Sequence, residues 1–286
     1  MIIVGYTGST DAVPALEAAA RLAARSREPL LIVSAFDNPT VDVATYVSFT
    51  RPTQAEVEEW YRDVMIEGEQ RARAQGAVEV ESKVVLGPVP GALIVSATAE
   101  DIIVVGHRHH REFASAFLGS VAVQLSGHAP CPVVVVGPEP HEWAGPLVVG
   151  VDGSTASRHA VTTAAEWARR FALPLVVASA WQDQVLVGLG EGWALSTLQT
   201  GADAVRDATR EMIDGIAEEI REQHPDLDVS TRLLHGDPAV ALLEATRDAT
   251  ALIVGSRGRG GFSGLLLGSV SHQLIHRSEI PVVVVR

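Results

Sequence analysis

A glycine-rich segment near the end of the chain is the first candidate for chemistry. Residues 254–269, VGSRGRGGFSGLLLGS, hold six glycines between a hydrophobic run and an amphipathic one. A glycine-rich loop between a buried strand and a helix start exposes backbone N–H groups to phosphate oxygens, and the helix N-terminus adds favourable partial charge. The spacing lacks the Gly-Lys-Ser/Thr of a Walker loop and differs from the Gly-x-Gly-x-x-Gly of dinucleotide sheets. By itself, the pattern leaves open whether the glycines serve a phosphate or a positive φ.

Histidine and cysteine residues offer weaker candidates. The run HRHH at 107–110 has no cysteine or nearby carboxylate pair to complete a metal ligand set. His272 and His276 have the i, i+4 spacing that suits zinc, but an exposed helix face explains them as well. Cys131 stands between two prolines before an apolar run, where packing is favoured over reactivity. We therefore predict no metal site and no catalytic residue.

The elements that must position the glycine segment follow from an internal repeat. At an offset of 145 residues, the segment from Ile2 matches the segment from Leu147, including a shared Gly-x-x-Gly-Ser. Later the offset is 149, so that Gly106 matches Gly255 and both halves carry Leu-Gly-Ser before CPVVVV or IPVVVV. The seam is GPEPHEWAGP, whose prolines and glycines interrupt regular structure. We predict two homologous domains, 1–138 and 146–286.

Each half alternates short β-branched runs with alanine-rich helical patterns, as βαβ units do. In the second half, strands are expected at 147–151, 174–181, 229–235, 251–256 and 281–285, and helices near 156–171, 200–223, 237–248 and 268–277. Runs such as VVVV are apolar at every residue, which indicates that both faces of a parallel sheet are covered. The predicted fold is α/β: two tandem doubly wound five-stranded parallel-sheet sandwiches of Rossmann-like type. Ligands bind such sheets beyond the carboxyl ends of the strands, where the strand order reverses.

Composition narrows the classes of partner. Lys and Arg total 22 against 35 Asp and Glu, so a formal charge of −13 opposes binding to nucleic acid or anionic lipid. The longest apolar runs fall short of the roughly 20 residues of a membrane helix. A single cysteine excludes an internal disulfide, and the sequence opens without a secretory leader pattern. We therefore expect a cytoplasmic protein without nucleic-acid or membrane partners.

The combined motifs resemble the ATP-binding class of the universal stress protein family, whose fold is similar to that of adenine nucleotide alpha-hydrolases. They are Gly-x2-Gly-x9-Gly-Ser from Gly255, VDGS after the first strand of the second half, and GDPA at Gly236. The resemblance covers nearly the whole chain as two domains. It implies ATP as the ligand, bound either with or without Mg²⁺.

The resemblance also implies roles for particular residues. Asp152 is expected to approach the adenosine portion, and Ala180 to contact adenine through its backbone. The phosphates and the helix start are expected to be surrounded by Val254, Gly255, Gly258, Gly268, Ser269, Val270 and Ser271. Two alternatives stay open: Asp152 as a cap of the following helix or turn, and Arg257 and Arg259 as solvated side chains instead of phosphate contacts. Ser269 is also expected to cap the helix that follows it.

The first half departs from this pattern. Thr7 stands for Asp152, His109 for Gly258, and Ala122 for Ser271. Thr7 cannot accept the hydrogen bonds of a carboxylate, and the His109 side chain enters the path of the phosphates. We expect this site to bind nucleotide weakly or not at all and to serve a structural role, although histidine tolerates positive φ and can donate to phosphate.

Three functional classes follow. The first is a nucleotide-dependent regulator, as the resemblance implies. The second is a slow ATPase or phosphotransferase, for which no motif clearly supplies a positioned water. Only Asp237 is a loop carboxylate to consider for indirect metal contact, and a role as a turn residue before Pro238 is favoured for it. The third is a ligand-free interaction scaffold. The two domains are expected to pack as a pseudo-dimer through their final strands, with a homodimer and a regulatory protein partner beyond that.

Overall fold

The computed structural model describes residues 1–36, 53–107, 120–138, 145–182, 194–260 and 266–286. These residues form two compact units, Met1–Pro140 and His141–Arg286. The predicted ranges 1–138 and 146–286 each fall inside one unit. No helix within the described ranges has both the length and the apolar character needed to cross a membrane.

The first unit is a parallel sheet with helices connecting its strands. Its described strands are β1 (Ile2–Gly5), β2 (Leu30–Phe36), β3 (Val80–Leu86), β4 (Ile102–Gly106) and β5 (Val133–Val136). Its described α-helices are α1 (Val13–Ser26), α2 (Gln54–Ala74), α3 (Val89–Ile94) and α4 (Ser120–His128). The strand order is β3-β2-β1-β4-β5, with every pair parallel.

The second unit repeats this arrangement. Its described strands are β6 (Leu147–Gly150), β7 (Leu175–Trp181), β8 (Val229–His235), β9 (Ala251–Gly255) and β10 (Val282–Val285). Its described α-helices are α5 (Thr155–Phe171), α6 (Ala194–Gln223), α7 (Pro238–Ala245) and α8 (Ser269–Arg277). The order β8-β7-β6-β9-β10 is again parallel throughout. The predicted α/β class with doubly wound parallel sheets is confirmed.

The central strands are buried because helices cover both faces of each sheet. All four valines of β5 and of β10 are buried, and so is every residue of β6 and β9. Helix α5 packs a stripe of small residues and Phe171 toward the sheet, which brings the helix close to the strands. This close packing fixes the carboxyl ends of β6 and β9 side by side, where the strand order reverses.

Candidate functional site

A cavity of about 940 Å³ opens at the carboxyl ends of β6 and β9 in the second unit. Its size falls within the range of small-molecule sites. All nine residues that the sequence singled out line this one cavity: Asp152, Ala180, Val254, Gly255, Gly258, Gly268, Ser269, Val270 and Ser271. Residues up to 119 positions apart in sequence therefore meet at the strand-order reversal.

The turn after β6 holds a carboxylate at the cavity. Gly153 has φ +79°, and the amide of Ser154 donates to Asp152 Oδ1 at 3.0 Å. Ser154 is the N-cap of α5, and its hydroxyl accepts the Ser157 amide at 3.2 Å. Asp152 therefore shapes the turn, while a different residue caps the helix. This leaves the Asp152 carboxylate facing the cavity.

The second oxygen of Asp152 reaches the glycine segment. Its Oδ2 accepts the backbone amide of Arg259 at 2.9 Å. Burial opposes ionisation of this carboxyl, but the hydrogen bonds from Ser154 and from the Arg259 amide outweigh it and lower the pKa of Asp152 below its ordinary value. Asp152 is therefore an ionised acceptor and a weak base at neutral pH.

Gly255, at the end of β9, is a packing glycine. A Cβ at this position would lie 2.7 Å from the carbonyl carbon and 2.8 Å from the carbonyl oxygen of Ala156, in the first turn of α5. The Gly255 carbonyl accepts the Ser271 hydroxyl at 2.7 Å, and Ser271 is only 4% exposed. Gly255 and Ser271 thus fix the ends of β9 and α8 together, and the Ser271 hydroxyl is already engaged.

The start of α8 presents backbone amides to the cavity. Its N-cap is Gly268, in extended conformation and without a side chain to cap the helix. The expectation that Ser269 caps this helix is therefore wrong: Ser269 is the first helical residue. The amides of a first helical turn have no intrahelical acceptor, so they remain available to an anion. Gly268 itself donates its amide to Ser256 O at 2.8 Å, which closes the segment at its base.

The same cavity also has an apolar wall, which sequence reasoning missed. It comes from α6 and α7 and comprises Val205, Ala208, Met212, Pro238 and Leu242. The helical spacing of the α6 residues marks one face of α6, but that pattern does not distinguish a cavity wall from a core face. A cavity with both an apolar wall and backbone amides suits a ligand with a flat apolar end and an anionic end.

Charged and aromatic groups line the same cavity. Arg257 and Arg259 line it with exposed side chains and add positive charge near the α8 amides. Trp181 lies at the end of β7, with its ring centroid 4.5 Å from that of His235. Asp237 is the N-cap of α7, where its Oδ1 accepts the next two free amides at 3.1 Å. That arrangement matches the turn role favoured for Asp237.

The first unit differs at the matching positions. Thr7 Oγ1 lies 2.9 Å from Ser9 Oγ and accepts the Ser9 amide at 3.4 Å, so it is engaged in the local turn. Ala122 is buried and brings no hydroxyl to the end of β4. The last three residues of the HRHH run, His109 among them, lie outside the described residues.

The other candidates for chemistry give no second site. The rings of His272 and His276 lie 4.7 Å apart along α8. Within the described ranges, no cluster of three or more His, Cys, Asp or Glu is arranged to hold a metal ion. Cys131 is buried, and burial raises the pKa of its thiol to about 11, which keeps it protonated.

Comparison with known proteins identifies relatives along the whole chain. The sequence profile of the universal stress protein family matches residues 1–137 and 145–286. Universal stress protein Rv2005c of Mycobacterium tuberculosis is 33% identical, over 100% of this chain and 96% of that protein. Universal stress protein Rv2623 of the same species is 32% identical over the same shares of the two chains. The crystal structure of a universal stress protein from Archaeoglobus fulgidus aligns with a TM-score of 0.67 and 19% identity, covering 100% of this chain and 98% of that one.

Proposed function

This chain belongs to the universal stress protein family, and on that premise we propose that it is an ATP-binding regulator of a stress response, with its nucleotide site in the second domain. The observation that carries the proposal is the convergence of the nine predicted residues on one cavity. The parallel sheet brings the carboxyl ends of β6, β7 and β9 to one edge, and there these residues border a cavity of about 940 Å³ instead of a filled core, as a ligand site requires.

The cavity is lined both by the apolar wall from α6 and α7 and by the backbone amides of the glycine segment and α8, and this combination supports a nucleotide. Adenine would lie against the apolar wall from α6 and α7, and the ribose would approach the ionised Asp152. The phosphates would meet the amides of Gly258, Ser269 and Val270, with positive charge from Arg257 and Arg259. Backbone amides at a helix N-terminus stabilise phosphate without any covalent chemistry.

Binding is better supported than turnover. Hydrolysis needs a positioned water and stabilisation of charge at the γ-phosphate. Asp152 is the one carboxylate among the described lining residues, and its hydrogen bonds and lowered pKa make it a poor general base. Both Asp152 oxygens already accept backbone amides. The described lining residues therefore suit ATP better than they suit a Mg²⁺ ion held by the protein. We propose that Mg²⁺, where present, is held by the phosphates themselves.

The proposal is tested by the nucleotide that the protein retains. We would purify the chain without added nucleotide, denature it, and identify and count the released nucleotide by chromatography. We expect about one ATP per chain, unhydrolysed. Gly268→Ala should abolish retention, whereas the matched control Gly119→Ala, at the aligned position of the first domain, should keep it.

Each other outcome has a defined meaning. Two ATP per chain would show that Thr7 and His109 do not disable the first site. Loss of ATP in Gly119→Ala but not in Gly268→Ala would place the site in the first domain and reject its proposed place in the second. No retained nucleotide, together with no binding on titration, would reject ATP as the ligand and favour the interaction scaffold. Released ADP that accumulates with time would favour the slow ATPase.

A further inference from the structure

Asp152 joins two segments that are far apart in sequence. Its Oδ1 accepts the Ser154 amide at 3.0 Å, within the turn after β6. Its Oδ2 accepts the Arg259 amide at 2.9 Å, in the segment that follows β9. Hydrogen bonds to an ionised acceptor are stronger than neutral ones. The carboxylate therefore links the glycine segment to the turn after β6.

Gly258 lies directly against this carboxylate. A Cβ at position 258 would lie 2.5 Å from Asp152 Oδ2, far inside van der Waals contact. The φ of Gly258 is not among the positive values that would demand glycine on conformational grounds. A side chain at position 258 would therefore displace the carboxylate from the Arg259 amide.

The first domain changes both positions together. Thr7 replaces the carboxylate and His109 replaces the glycine. Thr7 has one oxygen, and that oxygen is engaged by the Ser9 amide and hydroxyl in the local turn. Thr7 has no second oxygen that could accept an amide as Asp152 Oδ2 does. The first domain therefore lacks both members of the Asp152–Gly258 pair.

We propose that Asp152 is a positioning residue that latches the glycine segment, so that the amides near Gly258 are aimed at the phosphates before the nucleotide arrives. An ionised carboxylate has about four lone-pair positions, so a ligand hydroxyl can join the two amides without releasing the latch. The consequence for nucleotide rests on the proposed function. The latch itself is a contact within the protein, so it can be tested without nucleotide.

The test is a double-mutant cycle on the full chain with Asp152→Ala, Gly258→Ala and both substitutions. In the native background, Gly258→Ala pushes the carboxylate away, so the affinity for a fluorescent ATP analogue should fall at least tenfold. In the Asp152→Ala background, the added methyl has room and should change the affinity by less than about threefold. The midpoint of urea unfolding of nucleotide-free protein should show the same non-additivity.

A second measurement reports on the latch directly. Hydrogen exchange at the Arg259 amide should accelerate at least about tenfold in Asp152→Ala, because that amide loses its acceptor. Asp152→Asn, which keeps one acceptor oxygen, should give an intermediate rate and retain the fold. The matched control is Asp237→Ala, which also removes an aspartate that accepts two amides. Asp237→Ala should leave exchange at Arg259 unchanged and should combine additively with Gly258→Ala.

The outcomes separate the latch from the proposed function. Additive effects of Asp152→Ala and Gly258→Ala, with unchanged exchange at Arg259, overturn the latch even if ATP binds. If the native chain does not bind ATP, the proposed function fails, and exchange and unfolding of the nucleotide-free protein still decide the latch.

Discussion

Two glycines of the same motif should fail in opposite ways when replaced by alanine. Gly255→Ala would place a methyl 2.7 Å from the carbonyl carbon of Ala156, which is helix backbone and cannot move aside. Overpacking of this kind costs about 1–3 kcal/mol. Gly268 has an extended backbone, and its nearest neighbour to an added Cβ is Arg257 Cα at 3.4 Å. Gly268→Ala should therefore leave the free energy of unfolding within about 1 kcal/mol of the native value.

Nucleotide affinity should show the reverse order. The methyl of Gly268→Ala would lie 3.5 Å from the amide nitrogen of Gly258, an ordinary contact within the protein, and would occupy space that a phosphate at this amide needs. Loss of one charge-assisted hydrogen bond, about 1.5–3 kcal/mol, weakens binding at least about tenfold. Gly255→Ala should retain affinity under conditions where it remains folded.

The assays are urea unfolding followed by circular dichroism and titration with ATP. The matched control is Gly106→Ala in the first domain, where an added Cβ would lie 3.3 Å from Asp11 O, so the cost should be clearly smaller than for Gly255→Ala. If Gly255→Ala is as stable as the native chain, the packing argument is wrong. If Gly268→Ala destabilises the fold and leaves affinity intact, its place at the phosphates is wrong.

Four further predictions follow. Ser271→Ala should lower the free energy of unfolding by about 1–3 kcal/mol in urea denaturation, because the buried Gly255 carbonyl loses the hydroxyl that donates to it. The affinity for ATP should be nearly unchanged, and a large loss of that affinity at native stability would show that the hydroxyl contacts the ligand. Because the pKa of Asp152 is lowered by folding, its ionised form stabilises the protein above its unfolded pKa of about 3.9, and this contribution is lost as the pH falls through the lower folded pKa. Asp152→Asn should therefore reduce the difference in unfolding free energy between pH 7 and pH 3. An unchanged difference would contradict a lowered pKa for Asp152 in the folded protein. Restoring both first-domain positions with Thr7→Asp and His109→Gly should raise retained ATP from one toward two per chain, whereas either change alone should not. EDTA should weaken ATP binding less than about threefold on titration if Mg²⁺ is held by the phosphates alone, and complete loss would indicate a protein-held ion.

Several expectations stay predictions. Packing of the two domains through their final strands, a homodimer, a regulatory protein partner and a cytoplasmic location all rest on the resemblance and on composition. Size-exclusion chromatography with light scattering would decide the oligomeric state.

The sequence alone determined the fold class, the repeat and the identity of the nine cavity residues. Apolar runs without alternation indicate buried parallel strands, and the elements of the second half begin and end within a few residues of the expected positions, apart from the earlier start of α6. Parallel strands bring their carboxyl ends to one edge, so VDGS and the glycine segment had to lie near each other.

Only the tertiary structure decided what each of those residues does. Gly255 and Gly258 look alike in a motif, but one avoids the backbone of Ala156 and the other avoids the carboxylate of Asp152. The Ser271 hydroxyl donates to the Gly255 carbonyl, and the N-cap expected at Ser269 is Gly268. The contacts of Gly255 with Ala156 and of Gly258 with Asp152 join segments about 100 residues apart. Their distances follow from the packing of helices on the sheet and leave no trace in local spacing.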